Sequence, residues 1–149
     1  MTDPNDINTA DQLGRRRARI LPMLALFFLI QQTSFFSNPP AERAVDHVRI
    51  GAWVLMTAVI VLMLQTGGSW FRSPAVRAAL DDEPTRANRA SAFHWGFMAA
   101  VLSGMTIYSL LGIAPMTARE AIHLVVSAGI VVALLRFGFL ERRDYGWTR

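Results

Sequence analysis

The chain contains no cysteine. That removes disulfides, thiolate metal sites, thioether-linked haem and cysteine nucleophiles, and with them any reading of the redox compartment. Lysine is missing too, so all fifteen basic residues are arginine. Arginine suits headgroup phosphates through its planar fork of donors, but the bias specifies no activity. The long apolar runs carry no acidic residue at their centres, which argues against a small proton-coupled exporter, where a buried carboxylate would carry the exchangeable proton. There is no Gly-rich phosphate loop and no nucleophile elbow, and the scattered Ser, His and Asp make no triad.

Histidine is scarce, with three in the chain. Glu120 and His123 stand i, i+3, the spacing carboxylate-bridged metal sites use, but such sites need two copies and only one is present. His47 falls near His123, whereas His94 starts an apolar run at the opposite face, so no bis-histidine haem pair forms. Neither a metal nor any other cofactor is expected.

What the chain does have is apolarity in blocks. Hydrophobic residues make up 52% of its 149 positions, gathered into long runs separated by arginine-rich segments, which a soluble domain does not need. The net charge of +4 and a pI near 10.9 would also suit a nucleic-acid binder. The arginines flank apolar runs instead of lining one helix or groove, so the expected partner is the lipid bilayer and direct nucleic-acid binding is not expected.

Residues 1–18 are polar and basic, without hydrophobic periodicity, and read as a disordered tail. Residues 19–141 read as one four-span domain with spans at about 20–37, 50–66, 93–113 and 121–140, each near the ~20 residues a hydrocarbon core requires; 142–149 form a C-terminal tail. A basic cluster before an apolar run also describes a signal peptide, yet no small-x-small cleavage site follows and three more apolar runs do. Asn38-Pro39-Pro40 stops the first helix and Gly67-Gly68 the second, with Trp70 and Phe71 placed for an interfacial aromatic belt. Ser73-Pro74 opens a short amphipathic helix to Leu80, and Asp81-Asp82-Glu83-Pro84 breaks and restarts the chain. Thr117-Ala118-Arg119-Glu120 is a capping box ahead of the fourth span.

Most arginines then fall on one side of the membrane, with Arg136 snorkelling toward it and only Arg43, Arg49 and Arg119 on the other. The positive-inside rule makes the expected fold an all-α integral membrane four-helix bundle with both termini in the cytoplasm.

Three groups of residues are candidates for a role. Gly96, Ala100 and Gly104 form a small-residue stripe for close helix packing, with Gly129 and Ala133 a weaker match on the fourth span; packing within the chain is favoured over a seam between copies of a homo-oligomer. Gln31, Gln32 and Ser34 are polar at membrane depth, where they either line a small polar cavity or fix helix packing. Asp81, Asp82, Arg86 and Arg89 lie in the longest cytoplasmic connection and could contact a partner.

The stretch from Asp81 to about Arg143, with its acidic pair, Thr85-Arg86 and Asn88-Arg89 ahead of an apolar helix, resembles small bacterial four-span membrane proteins of unknown function. Some of these are encoded beside helix-turn-helix regulators. The resemblance carries no catalytic motif, and it implies a cytoplasmic regulatory protein as partner. The expected function is therefore a small non-enzymatic inner-membrane protein, an interaction or regulatory subunit acting through its cytoplasmic loop. A small oligomeric channel or transporter using Gln31, Gln32 and Ser34 is the alternative, and a membrane enzyme comes third.

Overall fold

The computed structural model describes residues 4–37, 43–68 and 81–146. Four helices carry nearly all of them: α1 (Pro4–Ser37), α2 (Arg43–Thr66), α3 (Glu83–Leu110) and α4 (Ala118–Gly146). Three stretches, Val45–Thr66, Glu83–Leu110 and Ala118–Asp144, are long and apolar enough to cross a membrane. The Ser73–Leu80 helix expected between the second and third spans, Trp70, Phe71 and the Asn38-Pro39-Pro40 turn lie outside the described residues.

One boundary is corrected. The stretch 4–18, read as disordered, belongs to α1, which starts at Pro4. Composition argued against structure there because the segment has no apolar face of its own. The apolar run behind it supplies the helix nucleus, after which each added residue gains a hydrogen bond at little further cost. The segment also has tertiary contacts: Arg17 is only 11% exposed and Ala18 only 3%.

The helix ends follow local chemistry. Gly67 and Gly68 adopt φ of 65° and 74° and close α2 in the left-handed region. Asp82 caps α3 by accepting the Thr85 amide at 3.0 Å, with Pro84 in the first turn. At the start of α4 the Thr117 amide donates to Glu120 Oε2 at 2.8 Å and the Glu120 amide donates back to Thr117 Oγ1 at 3.3 Å. Glu120 is thereby engaged in the capping box.

α4 is the central element, packing along α1 and α3 and more lightly on α2. Gln32 of α1 meets His123 early in α4 while Arg17 meets Glu141 late in it, so these two helices run antiparallel. α1 buries Leu21, Ala25 and Phe28, spaced at i, i+4 and i+7, against Leu134 and Phe137 and their neighbours in the common core, which Ile60 and Leu64 of α2 and Ala92 of α3 complete. Its opposite face leaves Met23, Leu26, Phe27 and Ile30 exposed. α2 and α3 likewise expose Val48, Leu55, Phe97 and Met105, far more apolar surface than a monomer in water presents.

The small-residue stripe sets the α3–α4 crossing. A Cβ on Gly96 would lie 2.8 Å from the Gly129 carbonyl oxygen and 2.9 Å from Ala133 Cβ, and one on Gly129 would lie 3.2 Å from Ala100 Cβ. Only hydrogen side chains permit that approach. Farther along, the helices diverge: a Cβ on Gly104 meets nothing closer than Val125 Cγ2 at 3.8 Å.

Pro22 lies inside α1, and without an amide proton it leaves the carbonyl four residues back, that of Ala18, without its helical donor. Arg142 of α4 supplies one, its Nε donating to Ala18 O at 3.1 Å. Gly138 accommodates the proline ring, since a Cβ there would sit 3.0 Å from Pro22 Cδ. A backbone interruption in α1 is thus met by side chains of α4.

Candidate functional site

The arginine-rich end of the bundle holds a buried polar network drawn from all four helices. Arg17 of α1 pairs with Glu141 of α4, which is 1% exposed, through Nε at 2.9 Å and through Nη2 on the same oxygen, Oε2. Nη2 also donates to Thr85 Oγ1 at 3.2 Å, and Nη1 to the Gly67 carbonyl at the end of α2 at 3.3 Å. The guanidinium lies 5.3 Å from the Phe137 ring centroid, within cation–π range. The other carboxylate oxygen of Glu141, Oε1, accepts from Asn88 Nδ2 at 3.4 Å and from Thr85 Oγ1 at 3.5 Å, and Asn88 Nδ2 also reaches Asp144 Oδ2 at 2.7 Å. Both oxygens of a buried carboxylate are satisfied, which is the condition under which burying an ion pair is tolerable.

Next to this network, Asp81 gathers the residues expected to contact a partner. Arg89 pairs with Asp81 Oδ1 through Nη2, and its Nη1 donates to the Gln65 carbonyl at 2.6 Å. Arg86 Nε reaches Asp81 Oδ2 at 3.1 Å. The two arginines therefore play different parts: Arg89, 15% exposed, fastens α3 to the end of α2, whereas Arg86, 67% exposed, remains at the surface with Asp82 and Glu83.

At the opposite end a second polar group surrounds His123, which is 3% exposed. Its Nδ1 is 3.1 Å from Gln32 Oε1, and its ring lies between Phe35, stacked at 3.9 Å, and Trp53, tilted at 4.0 Å. Gln31 lines a cavity beside it, while Gln32 is buried among the helices. The side chain of Ser34 lies outside the described residues. His47 is exposed. Arg136, expected to snorkel, donates to Ser91 Oγ at 3.3 Å and lies 5.9 Å from the Trp95 ring centroid, so its charge is held between α3 and α4.

Sequence reasoning missed the Arg17–Glu141 pair and its partners Thr85 and Asn88. A signal for the last two was present. The buried residues of α3 are Thr85, Asn88, Ala92 and Gly96, the stripe containing Gly96 and Ala100 carried three turns toward the N-terminus. No protein-family model, curated protein or solved structure matches the chain.

Proposed function

We propose that the protein is a small non-enzymatic inner-membrane protein of bacterial type, crossing the bilayer four times with both termini in the cytoplasm and acting as an interaction or regulatory subunit through the surface around Asp81–Arg89. The network of Arg17, Thr85, Asn88 and Glu141 carries this reading. It holds the start of α3 against α1 and α4, and Arg89 ties it to the end of α2, so that Asp82, Glu83 and Arg86 project from a rigid base, as a docking surface requires. Support for α1 as the additional span comes from its exposed Met23, Leu26, Phe27 and Ile30, which lipid would cover.

The proposed partner is a cytoplasmic regulatory protein. A contact made by Arg86 to a carboxylate or phosphate would not survive Arg86→Lys, because lysine cannot reproduce a bidentate fork, whereas simple headgroup attraction would. Affinity purification in mild detergent, followed by mass spectrometry, is expected to recover one soluble protein with the native chain and to lose it with Arg86→Lys combined with Asp82→Asn, at unchanged insertion. Full recovery and an unaltered phenotype in the variant would overturn the docking reading. Solute flux in proteoliposomes lacking any other protein would favour the channel reading.

A further inference from the structure

α1 and α2 both pack on α4 yet hardly touch each other. A half-open cavity of about 230 Å³ lies between them, walled by Arg16, Ile20 and Leu21 of α1, by Met63 of α2 and by Phe137 of α4. Gly67 and Gly68, which close α2, also border it and present no side chain to fill it. A cavity of ~150 Å³ accepts benzene, so a lone water or ion does not fill this one.

Its polarity changes over one helical turn. Arg17 joins Glu141 and the Gly67 carbonyl at one level. Four residues farther into the bundle each of the three helices turns apolar, with Leu21, Met63 and Phe137 in or against the common core. An arginine rim above an apolar floor reproduces the step from headgroups to acyl chains. The charge of Arg17 is already matched by Glu141. Arg16 is exposed and pairs with no acidic group among the described residues, so the rim carries a positive charge with no counterpart. Its planar fork fits the oxygens of a phosphate. An occupant therefore brings a negative charge on phosphate oxygens and an apolar chain that leaves past the exposed Ile20. The bilayer component that carries both is an anionic phospholipid.

We propose that the cavity between α1 and α2 binds one anionic phospholipid, its phosphate on Arg16 and the first carbons of an acyl chain against Ile20, Leu21 and Met63. The lipid stands in for the direct contact that the two helices lack. This rests on the membrane reading and uses none of the residues of the docking surface. Co-flotation of the purified chain with phosphatidylcholine liposomes, measured first, tests the membrane reading alone. Failure there overturns both readings, whereas failure in the titration that follows leaves the membrane reading standing. Phosphatidylglycerol and phosphatidylcholine are then titrated separately into the chain in mild detergent, and bound lipid per chain is counted by native mass spectrometry, with the melting temperature as a second readout.

Saturable uptake of phosphatidylglycerol near one per chain is expected, roughly fivefold tighter than that of phosphatidylcholine, together with a higher melting temperature. Arg16→Gln should abolish the preference. Arg15→Gln, which removes an exposed charge that does not line the cavity, should leave it in place, and excess inorganic phosphate, a headgroup without a chain, should not displace the lipid. Equal uptake of the two lipids, equal effects of the two variants, or displacement by phosphate would overturn the proposal, the first two by reducing it to diffuse attraction and the last by making the site one for a soluble anion.

Discussion

Glu141 is 1% exposed, and the charged group that faces it is Arg17. Removing one member of such a pair leaves the other buried and uncompensated, at a cost of about 3–5 kcal/mol. Glu141→Gln or Arg17→Met alone should therefore lower unfolding free energy in mild detergent by several kcal/mol. The double variant Arg17→Met, Glu141→Met should lose much less than the sum, because no orphaned charge remains. Equilibrium denaturation of the four proteins checks this, and additive losses would show that the two residues act independently. The pair was not legible in the sequence because its partners are 124 residues apart. Glu141 stands beside Arg142 and Arg143, which reads as a solvated tail, and Arg17 is one arginine in a run of basic residues. Which arginine turns inward depends on the face of α1 that Leu21, Ala25 and Phe28 bury.

At the scale of the element, the α3–α4 contact is tight at one point and loose two turns later. Gly96→Ala would push a methyl to within 2.8 Å of a backbone oxygen, which a helix cannot relieve by rotating a side chain. A destabilisation of about 1–3 kcal/mol is expected, as for other overpacked sites. Gly104→Ala places its methyl at ordinary contact distance and should be neutral or slightly stabilising through helix propensity. Melting curves of both variants in detergent test the contrast, and equal sensitivity would mean that the crossing point is elsewhere. The stripe, the capping box of α4 and the glycine stop of α2 were readable because each is written within a few consecutive residues or one helical period. The repair of the Ala18 carbonyl by Arg142 was not, since it depends on α4, whose position relative to α1 no local pattern encodes.

For the whole molecule, the alternation of helix directions puts Arg17, the end of α2, the start of α3 and Glu141 at one end of the bundle. Under the proposed topology the positive-inside rule would put that end in the cytoplasm. Reporter fusions after Arg149 should therefore give cytoplasmic fluorescence and no alkaline phosphatase activity; strong phosphatase activity would reverse the proposed topology. The centrality of α4 also has a consequence for how the protein is made. α1, α2 and α3 leave the ribosome before the helix that two of them pack against most closely, so early in synthesis Gly96, Phe28 and Arg17 are unmated. Assembly must then wait for the last segment of the chain. A ribosome stalled or released ahead of Ala118 leaves behind helices that lack the element they pack on, and not a smaller version of the protein.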